Sequence, residues 1–220
     1  MDRVVLRFAR LQFGLFLFAL SITVMLGASI GLDPWSAVHG GLADQTGLSF
    51  GRVTQFIGLA LIGLAWVWLG VRPGAGTLFN MLVIGPWIDF LRRHGWVPVH
   101  AALGVPAVAQ FLAGIAINGI ATGVYIGARF GAGPRDGFVL GLARKSARSV
   151  RATRIGIEVT LLVVAFLLGG SIGLGTLLFA LLMGPAMQAS LRIMGVSTDP
   201  NARSSVDAGE APDSLANDNA

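Results

Sequence analysis

GAGPRDG, residues 131–137, sets an arginine and an aspartate beside a glycine-proline break in a chain of 220 residues that is otherwise 54% hydrophobic and only 12% charged. GLDPW, residues 31–35, does the same one hundred positions earlier, with Asp33 before Pro34 and Trp35 after it. The interval extends well beyond these two loops. An offset of one hundred aligns Gly14 with Gly114, Val24 with Val124, Gly27-Ala28 with Gly127-Ala128, Gly31 with Gly131, Pro34 with Pro134 and Leu42 with Leu142. After a one-residue slip, Gly76-Thr77-Leu78 matches Gly175-Thr176-Leu177, and Gly85-Pro86 matches Gly184-Pro185. The chain reads as one unit written twice: a long helix, a Gly-x-x-Pro loop opening a short amphipathic helix, and two further helices.

Mean hydropathy of +0.74 is that of a polytopic membrane protein. With no cysteine, disulfides, thiolate chemistry and Cys-ligated metal centres are excluded. The net charge of +5 does not point to nucleic acid, because the cations flank apolar segments and form no basic patch on a soluble face.

A spanning helix needs about 20 mostly apolar residues. Six stretches meet or approach that: Leu6 to Ala28, Val53 to Val71, Ala75 to Leu91, Leu103 to Gly127, Thr153 to Gly170 and Gly173 to Leu191. The first has the basic start and apolar run of a signal peptide and is taken as an uncleaved helix, since more spans follow. Pro34 to Ser49 and Pro134 to Ser149 are too short, about 24 Å as helix against a hydrocarbon core of about 30 Å. The second would also carry Arg135, Asp136, Arg144, Lys145 and Arg148 into lipid at about 2.5 to 3.5 kcal/mol each. Both are read as surface or re-entrant helices.

The expected fold is therefore all-α, a membrane bundle of six transmembrane helices in two repeats, residues 1–100 and 101–196. Three spans per half turn the second half upside down relative to the first, the architecture of many secondary transporters. In this reading the two loops face opposite interfaces, which makes their charges tolerable. Residues 197–220 hold five acids and one arginine with hardly any large apolar side chain, and are expected to be a disordered cytoplasmic tail. Counting Lys and Arg in the loops, thirteen fall on the side of the N-terminus and only Arg52, Arg92 and Arg93 on the other. That asymmetry puts both termini in the cytoplasm of a bacterial inner membrane. Trp35, Trp87 and Trp96 then sit near the outer interface, with Trp66 and Trp68 near the inner one.

The combination of GLDPW, GAGPRDG and Gly-Pro-interrupted spans resembles the YczE/YyaS/YitT group of bacterial integral membrane proteins over roughly residues 1–195. Phe138-Val139 stands where a Leu-Met pair often follows the second motif. The resemblance implies a multi-pass cytoplasmic-membrane protein and supplies no substrate.

Candidate site residues come from polar and helix-breaking positions inside spans. Gly85-Pro86 and Gly184-Pro185 should interrupt their helices at matching places, freeing backbone groups for a ligand. The plainer alternative is a kink satisfied by neighbouring helices. Asn80, Asn118, Thr122 and Gln188 could line a polar path or hydrogen-bond between helices as packing contacts. Glu158 is a candidate for ion coupling or a partner of Arg154, and Asp89 is expected to pair with Arg92 and Arg93. Around the loops, Asp33, Pro34, Trp35, Gly133, Pro134, Arg135, Asp136 and Gly137 serve as gates or, for the acids and prolines, as caps of the short helices. Gly119, Gly123, Gly127 and Gly131 form a small stripe for close packing that would also permit a homodimer.

No catalytic motif, metal-ligand spacing or cofactor fingerprint is present, and His39, His94 and His100 read as scattered outer-side residues. The expectation is no enzyme, no cofactor and no metal: a small-solute transporter working by alternating access between inverted repeats, in contact with the lipid bilayer. The alternative is a non-transporting scaffold or assembly factor that docks a partner or anionic lipid through the basic loop from Arg129 to Arg154.

Overall fold

The computed structural model describes residues 2–131 and 133–194, with Asp2 placed by its backbone alone; the tail expected at 197–220 lies outside the described residues. Among the described residues the elements are all helices: α1 (Asp2–Ala28), α2 (Pro34–Thr46), α3 (Phe50–Val67), α4 (Ala75–Arg93), α5 (His100–Leu103), α6 (Ala107–Gly127), α7 (Pro134–Lys145), α8 (Val150–Leu167) and α9 (Leu174–Ile193). Four of them, α1, α3, α6 and α9, are long and apolar enough to cross a membrane. The remaining two expected spans fall short of that standard in composition. Asn80, Asp89, Arg92 and Arg93 dilute α4, and α8 carries Arg151, Arg154 and Glu158.

Local chemistry recurs at the hundred-residue interval. Each short helix has proline in its first turn, Pro34 after Asp33 in α2 and Pro134 after Gly133 in α7. Serine caps the next helix in both halves, Ser49 Oγ accepting from Arg52 N at 3.3 Å and Ser149 Oγ from Ala152 N at 3.2 Å. Threonine closes the start of the last, with Gly74 N donating to Thr77 Oγ1 and Gly173 N to Thr176 Oγ1, each at 3.2 Å. Left-handed residues recur as well: Gly31 at φ 111° and Gly131 at φ 104° turn the two proline loops through a region that L side chains rarely occupy.

The core is the crossing of α1 and α6. Leu11, Leu15, Ala19, Ile22 and Met25 fall on one face of α1 and are fully buried against Phe111, Ile115 and their neighbours. The two helices run antiparallel and approach closely because glycine sits at the crossing in both. A Cβ on Gly14 would lie 2.9 Å from the Tyr125 backbone nitrogen, and one on Gly114 would strike Met25. Arg7 holds one end by donating to Ala128 O and Arg129 O at 3.1 and 2.8 Å; Gln110 holds the other through Val24 O and Pro98 O. Helix α4 lies along α1, with Phe8 on Phe79 and Phe16 on Trp87, while α9 lies along α6. The small stripe serves that second contact: a Cβ on Gly119 would meet Ala186 O at 3.0 Å, and one on Gly123 would strike Ser190.

The halves are cross-linked by their loops. Gly175 N donates to Ile30 O at 2.7 Å, and Gly76 N donates to Phe130 O at 2.8 Å, so each proline loop hydrogen-bonds to the opposite half. The Leu32 carbonyl accepts from Thr176 Oγ1 at 2.7 Å.

One matched pair of helices differs. Helix α3 is pressed on α4, where Gly51 and Gly85 touch through their backbones, Met81 packs on Gly58 and Asp89 accepts from Gly51 N at 2.9 Å and Ser49 Oγ at 2.5 Å. Asp89 thus caps α3 and forms no ion pair with Arg92 or Arg93, contrary to expectation. Helix α8 instead leans on α2 and α7 and scarcely touches α9. Neither Gly156 nor Gly184 has any atom within 4 Å of where a Cβ would stand.

Neither glycine-proline dipeptide interrupts its helix: α4 continues through Pro86 and α9 through Pro185. The reason is legible for Pro86. Its missing N–H orphans the Leu82 carbonyl, and Gln55 on α3 supplies a donor at 3.1 Å. Gln55→Leu should therefore lower stability by about 1 kcal/mol, and the cost should shrink in a Pro86→Ala background, where a backbone N–H is restored. A double-mutant cycle on unfolding in detergent reads that coupling directly.

Candidate functional site

The two proline loops meet. Asp33 is the N-cap of α2, accepting from Ser36 N at 3.2 Å, and it is 5% exposed. Arg135, in the first turn of α7, reaches it with Nη1 at 3.8 Å and lays its guanidinium 5.3 Å above the centre of the Trp35 ring. The charges of the two motifs are tolerated because they satisfy one another across a hundred residues, which replaces the expectation that each faces its own interface. Trp35 serves as a platform for Arg135.

The second loop gathers further groups. Tyr125 donates its hydroxyl to Gly131 O at 3.1 Å, and a Cβ on Gly133 would stand 3.3 Å from Asn80 Nδ2. Asp136 follows Pro134 inside α7, so it is not the N-cap; that position is Gly133. Its carboxylate lies 3.6 Å from Arg154, which also binds Glu158 at 3.3 Å. Glu158 is therefore in an exposed surface pair, as its spacing from Arg154 suggests.

The other candidate binding residues do not converge. Asn118 and Thr122 are buried in the α1–α6 crossing, where Asn118 Nδ2 donates to Ser21 Oγ at 3.0 Å and Thr122 Oγ1 to Asn118 O at 2.8 Å. Gly85 is buried against α3, and Pro86 borders a shallow apolar depression with Leu82, Val83, Trp87 and Phe90. Gly184, Pro185 and Gln188 lie on the side of α9 away from α6, with Pro185 and Gln188 exposed.

Sequence reasoning missed two features. His39 is buried in α2, with Nδ1 3.1 Å from Thr54 Oγ1 and no partner for Nε2 among the described residues. Burial, reinforced by the charge of Arg135, holds the ring well below its ordinary pKa of 6.5, so the imidazole is neutral. The other is a cavity of about 370 Å³ whose walls include Arg72, Gly74 and Thr77 on one side and Gly131, Pro134, Gly137 and Arg144 on the other. Its presence under the second loop could not be read from spacing, because Arg72 and Arg144 are far apart in the chain.

Residues 5–192 match a family of unknown function, DUF6198. The chain belongs to that family. Both proline loops and the residues that line the cavity lie inside the matched range. The chain is also similar to the uncharacterized membrane protein YczE of Bacillus subtilis, at 33% identity over 86% of this chain and 87% of that one. An uncharacterized protein of Haemophilus influenzae is 33% identical over 81% of this chain and 82% of its own length. Uncharacterized protein YyaS of B. subtilis is 24% identical over 82% and 90%. No solved structure matches. The resemblance to YczE and YyaS is thus borne out, and with four helices able to cross a bilayer this DUF6198 member is an integral membrane protein.

Proposed function

We propose that the protein is a small-solute carrier of the bacterial inner membrane, with six spans in two inverted halves that exchange access from one side to the other. The observation that carries this reading is the unequal pair of seams, α3 closed on α4 while α8 stands off α9. Two copies of one unit in unlike states are what alternating access requires, since exchanging their conformations moves the opening across the bilayer. The antiparallel crossing of α1 and α6 supports the inversion. A stripe of exposed Ile155, Val159, Val163 and Phe166 on α8 supports its contact with lipid. With the basic ends inside, the open α8–α9 seam faces the cytoplasm.

Arg151 and Gln188 occupy the positions that Gly51 and Asp89 hold in the closed seam. In a chain free of cysteine, an Arg151→Cys/Gln188→Cys pair is expected to cross-link in membranes as the inner seam closes. The cross-link should then raise labelling of Met81→Cys by an impermeant maleimide applied from outside. Unchanged labelling of Met81→Cys after complete cross-linking would count against a carrier. The scaffold reading keeps one observation, the exposed Arg144, Arg148 and Arg151 around the α7–α8 turn, none of which has an ion pair among the described residues. It expects partner or lipid binding to respond to charge reversal there and no change at Met81.

A further inference from the structure

We propose that the cavity between the α3–α4 linker and the second proline loop binds a small anion through a phosphate or carboxylate group. Arg72 comes from the linker and Arg144 from the last turn of α7, and both line the same space of about 370 Å³. No acidic residue lines it, and neither arginine has an ion pair among the described residues. Two arginines on one cavity give it positive charge with no acid to offset it, and their planar donors suit carboxylate and phosphate oxygens. Gly131 and Gly137 leave the backbone open to close approach, the nearest atoms to where a Cβ would stand being 3.7 and 4.0 Å away. Ile62, Ala65, Val71 and Leu140 offer an apolar wall to the carbon part of an organic anion. The volume is that of a small-molecule site.

The repeat itself argues that these arginines are not there for the fold. Four structural devices of the loop are present in both halves: glycine, proline, serine cap and threonine closure. The positions matching Arg72 and Arg144 are Ser171 and Asp44. The fold tolerates a hydroxyl and an acid where this end carries two cations, so the pair answers to something other than architecture.

A phosphate could arrive as a soluble metabolite-sized anion or as the headgroup of a bilayer lipid, and the test separates them. The full chain is placed in phosphatidylcholine nanodiscs and titrated calorimetrically with inorganic phosphate. Phosphatidylglycerol retained from the membrane is measured by mass spectrometry. Binding of phosphate that weakens about tenfold in Arg72→Gln and in Arg144→Gln, but not in Arg93→Gln at the opposite end, establishes a site for a soluble anion. Absence of phosphate binding, with phosphatidylglycerol retained by the wild type and lost from both cavity variants, establishes a headgroup site. The proposal is overturned if neither probe binds, or if Arg148→Gln, outside the cavity, weakens binding as much as the cavity variants do. Unchanged melting of each variant confirms that folding is intact. Binding is read without transport, so this result stands apart from the cross-linking test of the carrier.

Discussion

Arg135→Gln is expected to destabilise the folded protein by about 3 kcal/mol, the low end of the cost of removing one partner from a buried ion pair. The low end applies because the Arg135 side chain retains 28% exposure and can hydrate in part, whereas Asp33 at 6% cannot. The loss leaves the Asp33 side chain in a dry setting, with only the Ser36 N–H to hold it. Asp33→Asn should cost less, since asparagine still caps α2 and the stranded guanidinium keeps its place over Trp35. The double variant Asp33→Asn/Arg135→Gln should recover much of the deficit, because both charges are then gone. Thermal unfolding of the four proteins in one detergent decides the matter; additive losses would show that the 3.8 Å approach does not couple the two motifs.

Gly85→Leu and Gly184→Leu are one substitution at matching positions, yet their outcomes should diverge. At Gly85 a side chain would enter the Gly51 backbone, so α3 must move off α4 at about 1 to 3 kcal/mol or more. Leucine is the better helix former by about 0.8 kcal/mol, so propensity cannot explain a loss at either site. At Gly184 nothing stands within 4 Å, and the variant should fold and melt like the wild type. In the carrier reading it should nevertheless be inert, because the added side chain wedges α8 away from α9. Cross-linking of Arg151→Cys to Gln188→Cys would then stop. Equal melting temperatures for the two leucine variants would remove the distinction between the seams on which the functional proposal stands.

The repeat, the proline starts of the two short helices and the small stripe were legible because they depend on local chemistry: proline in a first turn, glycine where backbones touch. The starts of α3 and α8 lie three residues before the expected Val53 and Thr153, because Ser49 and Ser149 cap them there. The continuity of α4 through Pro86 was not, because the remedy is a glutamine on another helix. Asp89 illustrates the same limit. Arg92 and Arg93 are its neighbours in sequence, but Ser49 and Gly51 are its neighbours in space, and only the tertiary fold chooses between them. Asp33 and Arg135 were both singled out, each with a local role; their meeting needed the two halves to be folded together. The cavity was invisible for the same reason, being enclosed by a linker and a helix end that share no pattern.

The hydrogen bonds from Gly175 to Ile30 and from Gly76 to Phe130 also bear on how the protein is made. The carbonyl of Ile30 leaves the ribosome well before its donor, Gly175, is synthesised in the second half of the repeat. Until then that carbonyl lacks its partner from the second half, and the first half lacks one of the bonds that fix its proline loop. The first proline loop therefore reaches its final set of bonds only once α9 has been made, so a chain stopped before Gly175 is expected to leave that loop incompletely tied.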